Sequence, residues 1–414
     1  MKEQILSNLH QAEELEKLYR KNKSEFKIAF QELYPQIQDT PTVEFWNARL
    51  NFAAESREWG NSKAWAFILI AASVAWLIAK SPDFFNWNEE FFYPRNLSFL
   101  VFPFVSLYFV WKKELSPTSL WLPGLVLMGS IFYINLLPEN NQSDTLLLAC
   151  IHLPLLLWGV LGFVFGEAQP KNLLKRLEFL NFNGDAVIMG AVLGLAGMLL
   201  SGITIGLFNL IGLDIGEFYF ENIGLFGLVA APLIATHLTQ TNPQLVNKVP
   251  PIIAKIFAPL VLIMLFFYLG AIVYAGKDPY NDREFLLLFN LLLIGVLALI
   301  FFSVAESSQE SNSKMSKWVL ILLSLATVIV NLVALSAIAF RISEYGLTPN
   351  RLAVLGINVL MLIHLLWVCR GLITTLRKDK SIQEVGLVVV RYLPVYLIWT
   401  MIVVFVFPLV FGFK

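Results

Sequence analysis

Residues 318–340 read Trp-Val-Leu-Ile-Leu-Leu-Ser-Leu-Ala-Thr-Val-Ile-Val-Asn-Leu-Val-Ala-Leu-Ser-Ala-Ile-Ala-Phe, a run without a charge, closed by Lys317 on one side and Arg341 on the other. Wound as an α-helix at about 1.5 Å per residue, the run is about 35 Å long, enough to cross a hydrocarbon core of about 30 Å. Comparable apolar runs recur at 64–80, 95–111, 119–137, 145–166, 186–212, 222–239, 251–275, 284–304, 351–369 and 387–411. The sequence therefore predicts an all-α fold: a polytopic helical membrane protein with about eleven transmembrane helices and a small N-terminal helical cytosolic head.

Composition points the same way. Of 414 residues, 57% are hydrophobic and 14% charged, with a mean hydropathy of +0.67; soluble domains carry about 25% charged residues. Lys+Arg and Asp+Glu stand at 30 each, so no basic excess recruits nucleic acid. The expected partner is the lipid bilayer. The two cysteines, Cys150 and Cys369, fall near opposite faces of the membrane, which excludes a disulfide between them.

Residues 1–62 form the predicted head, and residues 63–414 the membrane domain. Ile5, Leu9, Ala12, Leu15 and Tyr19 recur every three or four residues, placing them on one face of a first helix. A second carries Phe26, Phe30 and Leu33 and ends at Tyr34-Pro35. A third starts at Thr40-Pro41 and carries Val43, Trp46, Leu50 and Ala54. Such a head is expected either to cap the assembly or to dock a cytosolic protein partner. Residues 170–185 are expected to be an amphipathic cytoplasmic connector. Leu173, Leu174, Leu177 and Leu180 share a face ringed by Lys171, Lys175 and Arg176, a pattern suited to the anionic inner leaflet.

Lys and Arg beside the first span (Arg57 and Lys63) and in alternate loops outnumber those in the opposite loops fourteen to seven. This places the N-terminus in the cytoplasm and the C-terminus outside. No apolar stretch precedes the first span, so no signal peptide is expected.

Local signatures of chemistry are missing from the sequence: no Walker A loop, no H-E-x-x-H, no G-x-S-x-G and no EF-hand spacing. No catalytic, cofactor-binding or metal-ligating residue is predicted, and the expectation leans away from an enzyme. Polar residues at membrane depth are the remaining candidates. Asn331 and Asn358 lie on adjacent antiparallel spans and are expected to share an interhelical amide bond, with a pore-lining role as the alternative. His152, His237 and His364 are expected to be interhelical hydrogen-bond or interfacial residues rather than a proton relay. Gly190-xxx-Gly194 and Gly202-xxx-Gly206 are small-residue steps expected to form a packing face. Pro394 and other span prolines each free a backbone carbonyl.

The loop 341–351 reads Arg-Ile-Ser-Glu-Tyr-Gly-Leu-Thr-Pro-Asn-Arg. Gly346 suits the left-handed position that ends a helix, Thr348-Pro349 suits the start of the next, and Arg341 and Glu344 stand at i,i+3. With Tyr345, they complete the candidate positions. This stretch, and residues 249–275 with a central Pro-Leu-Val, resemble an uncharacterised bacterial membrane-protein family, domain of unknown function 4153. The resemblance is best over 243–370. It implies a multi-pass protein of the bacterial cytoplasmic (inner) membrane and carries over no catalytic residues. The function expected first is a non-enzymatic membrane component, a sensor or an assembly partner. The alternative is a transporter or permease for a small solute or lipid. A lipid- or glycan-processing enzyme ranks last for want of an acid–base pair.

Overall fold

Each helix start needs partners for its orphan N–H groups, and short polar side chains supply them. In the computed structural model, Asn22, Asn61, Asn88, Ser143, Asn172 and Thr348 each accept a hydrogen bond from a backbone N–H two or three residues on. The structure describes residues 1–9, 11–37, 41–51, 61–140, 142–243, 249–275, 280, 283–305, 314–378 and 380–414, and no strand occurs among them. The chain divides into two compact units, Met1–Trp59 and Gly60–Lys414.

The first unit holds four helices: α1 Lys2–Ser7, α2 Ala12–Lys21, α3 Lys23–Leu33 and α4 Pro41–Asn51. The first expected helix is split in two. Ser7 and Asn8 both donate from their side chains to the Gln4 carbonyl, competing with the helical ladder. Ile5 and Leu15 nevertheless share one core with Phe26, Phe30 and Trp46. Trp46 meets the Tyr19 ring edge-on at 5.4 Å and lies under the Arg49 guanidinium at 4.7 Å. Thr40 and Ala54 lie outside the described residues.

The second unit contains α5 Ser62–Ala79, α6 Ser81–Phe85, α7 Glu89–Asn96, α8 Phe102–Lys112, α9 Pro117–Leu136, α10 Asp144–Phe165 and α11 Leu173–Leu210. It continues with α12 Gly216–Phe218, a π-turn Tyr219–Gly224, α13 Leu225–Thr241, α14 Val249–Ala275, α15 Arg283–Ala305, α16 Lys314–Tyr345 and α17 Pro349–Arg377. It closes with α18 Gln383–Met401, a π-turn Ile402–Val406 and α19 Phe407–Val410. Among the described residues, eight helices are long and apolar enough to cross a membrane: α5, α9, α10, α11, Gly216–Thr241, α16, α17 and Gln383–Val410. Three expected spans are not among those eight. The run 95–111 breaks at Val101, next to Pro103, into a short helix, a 3-10 turn and α8. The helices α14 and α15 contribute the shorter apolar stretches Lys255–Gly270 and Phe289–Ala305.

One apolar core joins α15 to α18, with Ile300, Leu323, Val368 and Val389 buried together. A second joins α5, α8 and α13 to the facing ends of α10 and α11 through Ala72, Phe109, Leu161, Phe182 and Leu233. The stretch 170–185 does not form a helix of its own: from Leu173 on it is the first part of α11, a continuous helix of 38 residues. Its Leu177 and Leu180 enter the first core, and its Phe179 and Phe182 the second. Leu177 and Leu180 of the apolar face are therefore covered by protein, whereas Leu174 on the same face stays exposed.

The glycine face is corrected. A Cβ at Gly190, Gly194, Gly197, Gly202 or Gly206 would meet nothing within 4 Å. The glycines that permit close approach are elsewhere: a Cβ at Gly356 would stand 2.0 Å from the Trp399 ring, and one at Gly159 2.4 Å from Leu397.

Candidate functional site

Several polar residues within the apolar lengths of the helices bond across helix interfaces. Asn331 on α16 donates to Asn358 Oδ1 on α17 at 3.2 Å, the expected amide bond. Asn358 in turn donates to Asn290 Oδ1 on α15 at 2.6 Å and to its own Val354 carbonyl at 2.8 Å. One side chain thus ties three helices, and Asn290 was not among the sequence candidates. Asn331 and Asn358 are fully buried, and Asn331 Oδ1 has no hydrogen-bond partner.

The histidines do not converge. His364 Nδ1 lies 3.2 Å from the Tyr396 hydroxyl, with the Tyr392 ring stacked at 4.5 Å, linking α17 to α18. His237 Nδ1 lies 3.0 Å from the Tyr108 hydroxyl and its ring 5.0 Å from Trp65, linking α13 to α8 and α5. His152 donates from Nδ1 to the Leu148 carbonyl of its own helix at 2.8 Å, since a carbonyl can only accept. Among the described residues it makes no interhelical bond. Among the described residues, no three His, Cys, Asp or Glu side chains gather to hold a metal ion.

In the 341–351 hairpin, Gly346 takes φ +76° and ends α16, and its N–H reaches the Ile342 carbonyl at 2.9 Å. Thr348 Oγ1 accepts from the Arg351 N–H at 3.3 Å. The expected Arg341–Glu344 pair is not formed among the described residues, and Arg341 Nη1 has no partner. Arg351 does the electrostatic work instead. Its Nη1 donates to the carbonyls of Tyr345 at 2.8 Å and Gly346 at 2.6 Å, and its guanidinium covers the Tyr345 ring at 5.5 Å. A cation on the last carbonyls of a helix offsets the negative end of the helix dipole, an advantage that an Arg341–Glu344 pair lacks.

A cleft of about 210 Å³ opens where α10 ends and α11 begins, closed on its third side by α18. Its walls are largely apolar, with Trp158, Phe163, Phe179, Leu393 and Leu397, and its charged lining residues are Lys175 and Arg176. Arg176 donates from Nη1 to the Val390 carbonyl at 3.2 Å and from Nη2 to the Pro170 carbonyl. Val390 stands four residues before Pro394, which has no N–H to give it. Trp158 is held by its indole N–H, which donates to Asn183 Oδ1 at 2.9 Å.

The loop beside the cleft is tightly bonded. Lys113 Nζ donates to the Phe165 carbonyl at 2.5 Å and meets Glu167 at 3.3 Å, and Lys175 meets the same Glu167 oxygen at 3.0 Å. The two ammonium groups, Lys175 first, hold the Glu167 carboxyl below the usual carboxylate range. Glu167 and Ala168 both take positive φ, at 57° and 56°, which residues with a Cβ rarely adopt. Sequence reasoning assigned Lys175 and Arg176 to a lipid surface and missed this cleft. The local sign was Pro394, which has no N–H to give the Val390 carbonyl, so that carbonyl had to find another donor. Comparisons with protein-family models, curated proteins and solved structures found no match.

Proposed function

We propose that the chain is a non-enzymatic, multi-pass component of a bacterial cytoplasmic membrane that senses or assembles with a partner. The observation that carries this reading is the use of its deep polar groups. Asn290, Asn331 and Asn358 bond to one another, and His364 and His237 bond to tyrosines. In lipid such bonds hold helices together where apolar burial gives no driving force. The reading takes all eleven apolar runs as spans, with the N-terminus and residues 1–62 cytoplasmic and the C-terminus external. The resemblance of residues 243–370 to domain of unknown function 4153 supports a bacterial membrane setting. Reporter fusions before Met1 and after Lys414 test the topology: opposite sides support eleven spans, and one side overturns them. Crosslinking with and without residues 1–62 tests the role. Loss of partners on deletion supports it, and an unchanged set overturns it.

A transport reading draws on one feature, the unpartnered carbonyl oxygen of Asn331 inside the α15–α17 bundle. Solute flux in proteoliposomes that is lost in Asn331→Leu would favour it over the assembly role.

A further inference from the structure

We infer that the cleft between α10, α11 and α18 binds one anionic phospholipid, its phosphate at Arg176 and Lys175 and an acyl chain along Trp158, Phe163 and Leu397. The inference rests on the membrane-spanning reading above and goes beyond the assembly role.

Three observations select this occupant. The cleft's volume of about 210 Å³ falls below the about 300–1,000 Å³ of sites that enclose a soluble ligand. It is a groove for part of a molecule, and its apolar walls suit a hydrocarbon chain. Its charge is one-sided, because the charged side chains lining it, Lys175 and Arg176, are both cations. Lys175 shares its charge with Glu167 at 3.0 Å and Glu178 at 3.7 Å. Arg176 has no carboxylate partner among the described residues. Its N–H groups go to two neutral carbonyls, which satisfy hydrogen bonds without cancelling charge. A half-buried, uncompensated guanidinium above an apolar groove is complementary to a ligand that is anionic at one end and apolar along its length.

The packing that shapes the groove is specific. A Cβ at Gly162 would stand 2.8 Å from the Phe179 ring, so glycine there lets the ring form the wall. Pro394 leaves the Val390 carbonyl to fix the guanidinium at the mouth. Gln169, also lining the cleft, accepts from Asn172 at 3.3 Å through its side-chain oxygen. A glutamate at this position keeps that acceptor while adding a negative charge at the phosphate site.

Native mass spectrometry of the purified full chain in detergent, with phosphatidylglycerol or phosphatidylcholine added, tests the inference. The wild type should retain phosphatidylglycerol at least about fivefold over phosphatidylcholine, the factor expected from one basic residue at an anionic surface. Gln169→Glu, which leaves the Arg176 bonds in place, should remove that preference, and Arg176→Gln should do so wherever it folds. Glycerol 3-phosphate, the headgroup chemistry without a chain, should not displace the lipid. Equal retention of both lipids, an unchanged preference in Gln169→Glu, or displacement by glycerol 3-phosphate overturns the site. None of these results bears on the topology, which the reporter fusions read separately.

Discussion

Arg176 donates to the backbone carbonyl of Val390 at 3.2 Å, across 214 residues of sequence, and fills the acceptor that Pro394 leaves without an intrahelical N–H. A cation on α11 thereby repairs a defect in α18. The repair predicts a thermodynamic coupling between two positions that look unrelated in sequence. Arg176→Met should destabilise the folded protein by about 1.5–3 kcal/mol, the range for a hydrogen bond from a charged group. In a Pro394→Ala background, where position 394 regains a backbone N–H that can donate to the Val390 carbonyl, the same change should cost less. A double-mutant cycle on denaturant unfolding in detergent measures the difference; strict additivity would refute the coupling.

Asn358 makes two interhelical amide bonds and Asn331 one. Interhelical hydrogen bonds in membrane proteins average about 0.6 kcal/mol and reach about 1.7 kcal/mol. Asn358→Leu should therefore lower stability more than Asn331→Leu, which also removes an unpartnered carbonyl. Unfolding midpoints of the two variants rank them, and the reverse order would contradict Asn358 as the hub.

The hairpin separates two arginines. Gly346 at φ +76° makes Gly346→Val unfavourable by about 1–2 kcal/mol, and loss of the Thr348 cap in Thr348→Ala removes about 1 kcal/mol. Arg351→Ala strips the donor from the Tyr345 and Gly346 carbonyls, so it should destabilise more than Arg341→Ala, which breaks no ion pair among the described residues. Folded yield and thermal midpoint decide the order.

Glycines on α10 and α11 should respond oppositely to the same substitution. Gly194→Ala meets no neighbour and should be neutral or stabilising by up to about 0.5–1 kcal/mol through helix propensity. Gly159→Ala must displace Leu397, whose nearest atom would stand 2.4 Å from the new Cβ, and should destabilise. Thermal midpoints in detergent report both signs.

Glu167 predicts a pH dependence. Lys175 and Lys113 lower its folded-state pKa below the unfolded value of about 4.3. Its contribution to stability is present above the unfolded value and lost as pH falls through the folded one. The stability gap between wild type and Glu167→Gln should hold near pH 7 and narrow from about pH 4 downward. A gap that widens on acidification would have the wrong sign for these ion pairs.

The sequence by itself determined what is local. Uncharged runs long enough to span a bilayer, Asn, Ser and Thr at helix starts, and Gly346 at a helix end are each set by neighbours within a turn or two. The Asn331–Asn358 bond was legible because a short hairpin puts adjacent helices antiparallel and polar groups in lipid seek each other. Tertiary structure decided what depends on distant partners. Small-residue spacing marked α11 as a packing face, yet the neighbours crowd Gly159, Gly162 and Gly356 instead. Amphipathic spacing shows that a face is apolar but not whether lipid or protein covers it, and for Leu177 and Leu180 protein does. Periodicity records what a helix can bury; only the approach of other helices fixes what it does bury, and that approach placed Arg176 beside Val390.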